Sequence, residues 1–189
     1  MSSLSLRTLS GLPEYGNSIV VQSGHKLIIP GTPTNVLQAV KTDSQVISPV
    51  AATGAPTTAN TYEVTGLSIT LTPASVSSRF LVISNLNFSS QNTSGFVFFK
   101  NTSPIGIADA ANNRRRSTGG TGLRIDDNQI RHGSMHFIDS PATVSAVTYS
   151  VRVWADGTGS IWINRSPTDQ DNTTGIRTIS TLTVMELLS

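Results

Sequence analysis

No cysteine occurs in the 189 residues. That excludes disulfides and thiolate metal sites and leaves stability to packing or to association between chains. Charge is scarce as well: 13% of residues are charged, and thirteen Lys and Arg against eleven Asp and Glu leave a formal net charge of +2. So small an imbalance lacks the electrostatic footprint of a nucleic-acid or membrane-surface binder. No run approaches the roughly 20 apolar residues of a membrane span, and residues 1–11 lack the apolar core of a secretory signal, so a soluble protein made in a cytoplasm is expected. Glutamate appears only at Glu14, Glu63 and Glu186, too scattered for an acid and base pair. No Gly-x-Ser-x-Gly elbow is present. Gly119-Gly120-Thr121-Gly122 lacks the Lys-Ser or Lys-Thr pair and the following helix that a phosphate cradle requires. The chain reads as non-enzymatic, with no cofactor and no metal site.

What is present is the material of strands and turns. Hydrophobic residues make up 37% of the chain, and Ser, Thr, Asn and Gly fill much of the remainder, a composition that favours β-structure over helix. Residues 1–35 hold only short apolar pairs between Gly and Pro, the texture of an extended arm that cannot offset its own ordering entropy. Pro30-Gly31-Thr32-Pro33 reads as a stiff connector, and a single β-sandwich domain is expected over residues 36–189. Alternation marks strands over 36–43, 62–71, 79–88, 96–99, 105–108, 130–138 and 178–188. In 62–71 the apolar phase flips after Thr65-Gly66, which a β-bulge at Gly66 would reconcile.

The stretch 144–164 carries the strongest pattern. Val147, Tyr149, Val151 and Val153 alternate with Thr148, Ser150 and Arg152, and Ile161 and Ile163 resume the pattern after Asp156-Gly157-Thr158-Gly159. This predicts a hairpin turned by positive-φ glycines, with Ile161 beside Val153 and Ile163 beside Val151. About nine strands at regular spacing, without a convincing helix, predict an all-β antiparallel sandwich, jelly-roll-like, preceded by the arm.

On the predicted hairpin, Trp154, Trp162 and Arg152 fall on the face away from the core, too large and amphipathic for a solvated surface. With Leu187 and Leu188 at the apolar C-terminus they are candidates for a subunit interface. Residues 108–128 form the longest stretch without a hydrophobic period, and Arg114-Arg115-Arg116 within it are candidates for gripping a carboxylate, a phosphate or an acidic sugar. His132 and His136 would stand roughly 13 Å apart on a strand and cannot share an ion. Asp169, Asp171 and Asn172 form only part of an oxygen-rich calcium loop.

The wording of the chain resembles a family of small phage virion proteins, often labelled tail fibres, of viruses with marine and cyanobacterial hosts. The likeness is carried by Gly16-Asn17-Ser18-Ile19-Val20-Val21 with Ser23-Gly24-His25-Lys26-Leu27, leading through Pro30-Gly31 to Val36-Leu37-Gln38-Ala39-Val40. Further on it is carried by residues 64–73, by Ile105-Gly106-Ile107-Ala108-Asp109, by residues 137–142, by Ile161-Trp162-Ile163-Asn164-Arg165-Ser166 and by Val184-Met185-Glu186. The resemblance implies a homotrimer in the virion, attached to other virion proteins through residues 1–35, with its sandwich facing a host surface glycan or receptor. It implies neither nucleic-acid binding nor membrane insertion. A capsid-decorating (cement or head-fibre) protein is the alternative on the same architecture, and a free carbohydrate-binding module is a third reading from a different class.

Overall fold

The computed structural model describes residues 33–49, 54–121 and 129–187, and within them there is no helix. Eleven strands are formed: β1 (Pro33–Lys41), β2 (Gln45–Ile47), β3 (Tyr62–Leu71), β4 (Arg79–Ser90), β5 (Ser94–Lys100), β6 (Ser103–Ile105), β7 (Gly119–Thr121), β8 (Arg131–Asp139), β9 (Val147–Ala155), β10 (Ile161–Ile163) and β11 (Ser180–Leu187). They pair antiparallel in two sheets. The first runs β1-β11-β4-β10-β2, with β8 on the other side of β4, and the second runs β3-β9-β5-β6, with β7 also on β5. The fold is an all-β sandwich. β1 begins at Pro33 rather than Val36, opposite Leu187 of β11; the first residue of an edge strand is a tolerated place for proline because its missing N–H can fall on the side away from the neighbouring strand. The predicted arm up to residue 32 lies outside the described residues.

Alternation places one side chain in two between the sheets. Phe80, Val82, Leu86 and Phe88 of β4, Leu182 and Val184 of β11, and Ile161 and Ile163 of β10 face Phe96 and Phe98 of β5 and Tyr149, Val151 and Val153 of β9 in one buried core. The phase flip in β3 is a bulge. Its register against β9 jumps between Glu63 and Ser68, and Gly66 takes φ +87, which lets both Val64 and Leu67 point inward. β5 and β6 form a small hairpin, with β6 falling at Ser103–Ile105 rather than over the expected 105–108. β11 is central, bonded to β1 on one side and β4 on the other.

The hairpin predicted over 144–164 does not form. β9 pairs with β3 and β5 in the second sheet, whereas β10 pairs with β4 and β2 in the first. Ile161 therefore lies opposite Ser90 and Ile47, and Val153 opposite Tyr62 and Phe96. Both strands do send their isoleucines and valines into the same core, but from facing sheets. Alternation reports which side chains point inward and not which strand lies alongside. The connection crosses the end of the sandwich next to the β4–β5 connection, which makes the same crossing: Asp156 N–H donates to Thr93 O at 3.0 Å, and Gln91 N–H to Ser160 O at 3.3 Å. The glycines serve close approach, not positive φ. A Cβ on Gly157 would sit 2.8 Å from the Asn92 amide, and one on Gly159 would meet the same group.

Two buried polar clusters lock the sandwich. Tyr149 Oη donates to Asp139 Oδ2 at 2.7 Å and Lys100 Nζ to Asp139 Oδ1 at 3.0 Å, so the end of β8 in one sheet is tied to β9 and β5 in the other. Burial, and then the Asp139 carboxylate, push the Tyr149 hydroxyl well above the usual phenol range. After β10, Asn164 adopts φ 63, a left-handed turn that asparagine tolerates. Its amide donates to Lys41 O and Asp43 O, both at 2.9 Å, and accepts from Ser180 Oγ at 2.6 Å. Nothing in the sequence pattern singled this residue out, because a satisfied buried amide leaves no periodic trace.

Candidate functional site

The outer face of the second sheet is where the charged and aromatic residues collect. Because β5 is SGFVFFK, its alternate positions Val97 and Phe99 point away from the main core. With Trp154 of β9 and Ile107 they form a second, smaller apolar cluster. An apolar patch of this size on a sheet face requires a cover, and two loops of the same chain supply it, residues 54–61 and 106–118.

Loop 106–118 is fastened at its C-terminal end. Thr118 N–H donates to Phe96 O at 3.1 Å, and Phe98 N–H donates to Thr118 Oγ1 at 3.2 Å. Ser117 Oγ accepts the Trp154 indole Nε1–H at 3.1 Å and lies 2.8 Å from Phe96 O. Gly95 makes this possible, since a Cβ there would stand 2.7 Å from both Ser117 Oγ and Trp154 Nε1. Inside the loop, Arg114 N–H closes a turn on Ala111 O at 3.1 Å and Asn112 takes φ 52. Loop 54–61 is braced by Asn60, whose amide donates to Ala55 O at 2.9 Å and accepts from Thr57 N–H at 2.7 Å.

Two arginines join the loops to the sheet. Arg152 lies over the Phe99 ring at 5.3 Å. It donates to Thr61 Oγ1 at 2.8 Å, Thr61 O at 2.6 Å and Thr58 O at 3.1 Å, with Glu63 at 3.8 Å. Arg115 lies over the Trp154 ring at 4.4 Å and donates from Nη2 to Asn60 O at 2.9 Å. Its Nε and Nη1 are buried with no hydrogen-bond partner among the described residues. Burial lowers the pKa of both guanidinium groups, and at Arg152 the Glu63 carboxylate opposes the shift. Arg116 donates from Nε to Ala108 O at 2.6 Å, and Arg114 is exposed. Among the described residues, none of Arg114, Arg115 and Arg116 makes an ion pair. Beside them opens a groove of about 870 Å³, lined by the three arginines, Trp154, Asn112, Asn113, Thr93 and Asp156 among others.

The structure thus brings Arg152, Trp154 and Arg114–Arg116 onto one face. It places Trp162 on the other sheet, opposite Val46 and Ser89. The two tryptophans are 6% and 9% exposed within the single chain, so each is largely covered by its own chain. Leu187 is half-buried at the end of β11, and Leu188 lies outside the described residues. The sequence missed Ser117, Asn60 and Gly95, which position the site through backbone contacts that have no motif.

The Asp169 carboxylate is held by Arg177 at 2.5 and 2.6 Å and by Arg165 at 3.3 Å, and two guanidinium groups on one carboxylate repel a divalent cation. No group of three or more His, Asp or Glu able to hold a metal occurs among the described residues. His132 and His136 both lie on β8, as the strand assignment required; His132 Nδ1 is 3.2 Å from Asn87 Oδ1.

Fold and site define an antiparallel β-sandwich carrying a cationic groove under two of its own loops. No protein-family model matches the chain, and no curated protein is similar to it. Among solved structures, the structure of infectious bursal disease virus Gx strain is similar over 91% of this chain, at 10% identity and a TM-score of 0.39. The chain matches 41% of the length of that protein. A likeness so loose carries no argument about function.

Proposed function

We propose that this chain is a phage virion structural protein of the tail-fibre, receptor-binding type, non-enzymatic, trimeric, and attached through residues 1–35. The motif resemblance supplies the family and the three-fold association. The observation that carries the reading further is where the sandwich leaves apolar surface uncovered. Among the described residues β1 is bonded on one side only, and Val36, Leu37 and Val40 on it are exposed. An unpaired edge bearing large apolar side chains is a template for association, and sister subunits are the occupants that protect it. The interface moves accordingly from the tryptophans to β1.

Light scattering of the purified chain gives a trimer on this reading, and Val36→Lys with Val40→Lys reduces it to a folded monomer. A monomer for the unaltered protein at micromolar concentration overturns the trimer. Its radial position in a particle reconstruction tests the fibre: density on the capsid shell instead of the tail makes it a decoration protein.

A further inference from the structure

We propose that the groove beside Arg114, Arg115 and Arg116 binds a uronic-acid-bearing saccharide. The inference rests on the groove's own geometry and stands whether or not the chain belongs to a tail. Three adjacent guanidinium groups have no carboxylate partner among the described residues, although Lys41, Lys100, Arg152, Arg165 and Arg177 all have one. One of the three, Arg115, lies over the Trp154 ring at 4.4 Å, and two of its donor atoms are buried without a partner among the described residues. A half-buried cation with one hydrogen bond, two buried donors unmatched and no counter-charge is unfavourable as it stands. An anionic group entering the groove provides that counter-charge, and the planar fork of an arginine suits a carboxylate.

The rest of the lining selects the kind of anion. Asn112, Asn113 and Thr93 offer neutral donors and acceptors, and Asp156 places an acceptor-only carboxylate in the same wall. A bare inorganic anion gains nothing from Asp156, whereas a sugar offers it hydroxyl donors while its own carboxylate meets the arginines. Nucleic acid fits poorly, because the Trp154 face that would stack on a base is already covered by Arg115. A groove of about 870 Å³ accommodates a short oligosaccharide.

The test uses the full chain, with the two tryptophan indole N–H signals followed by NMR as trigalacturonate, its uncharged methyl ester and inorganic phosphate are added. Trp154, whose indole donates to Ser117 beneath Arg115, reports on the groove, and Trp162 on the opposite sheet is the internal control. Trigalacturonate is expected to move the Trp154 signal alone, with the ester and phosphate leaving it in place. Arg114→Ala, an exposed position whose loss leaves the fold intact, should weaken binding about tenfold, the worth of one charge-assisted contact. Arg131→Ala on β8 should change nothing. No Trp154 response at millimolar trigalacturonate, an equal response to phosphate, or full affinity in Arg114→Ala overturns the proposal. Binding that succeeds while the protein is found on the capsid would overturn the fibre reading and leave the groove standing.

Discussion

Arg152 and Arg115 make the same move from different elements: each crosses an aromatic ring on the outer face of the second sheet and reaches loop 54–61. Arg152 arrives at three acceptors with a glutamate nearby. Arg115 arrives at one carbonyl oxygen and keeps two buried donors empty. The first is a finished structural pin, whose partners account for its charge-bearing atoms. The second is an unfinished one. Similar side chains under similar cover therefore divide into architecture and candidate function according to whether their hydrogen bonds are complete.

The comparison breaks most visibly through the ring beneath Arg115. Trp154→Ala removes a side chain that is 6% exposed and should cost about 3 to 5 kcal/mol in denaturant unfolding, as for other large buried aromatics. A loss under about 1 kcal/mol would mean that the two loops do not seal the face. Arg152→Met keeps the contact with Phe99 but abandons three acceptors of loop 54–61, and should cost about 2 kcal/mol. Lysine at the same position should recover little, since one ammonium cannot reach Thr58 and Thr61 together.

Arg115→Met sharpens the contrast. It loses one hydrogen bond but also relieves two unpaired buried donors, so stability should change by no more than about 1 kcal/mol in either direction. Equal losses in the two methionine variants would erase the distinction between pin and site.

A control that touches neither arginine is Tyr149→Phe, expected to cost about 1 to 2 kcal/mol at neutral pH through the lost bond to Asp139. It also carries a pH signature. The folded-state pKa of Tyr149 is raised, so below the usual phenol value of about 10 both states hold the proton and pH has no effect through this group. Above about pH 10 the unfolded chain releases a proton that the folded chain keeps, and stability falls by up to about 1.4 kcal/mol per pH unit. The phenylalanine variant should lose that alkaline limb in urea midpoints measured from neutral to high pH.

Most of the strands were legible because a half-buried strand writes its burial directly into every second residue. The bulge at Gly66 could be read from the phase flip. The arginine loop was legible only as a candidate: three consecutive basic residues look alike in sequence, yet Arg116 bonds its own loop, Arg114 stands in solvent and Arg115 stacks on a tryptophan about forty positions away. The hairpin failed for a related reason. Val153 and Ile161 do share a core, and a short glycine-bearing connection serves a turn within one sheet as readily as a crossing between two.

By itself, then, the sequence determined that this is an all-β chain, which residues face its core, and that no cysteine or recognised catalytic motif contributes to it, because composition and period are local properties. Tertiary structure alone decided which sheet each strand joins, that Trp154 and Trp162 lie on different sheets, and that loops of the same chain cover the outer face of the second. It also decided which arginine among several keeps buried donors unpaired. Those outcomes depend on groups brought together from distant parts of the chain, and hydrogen-bond completion is a property of that assembled neighbourhood.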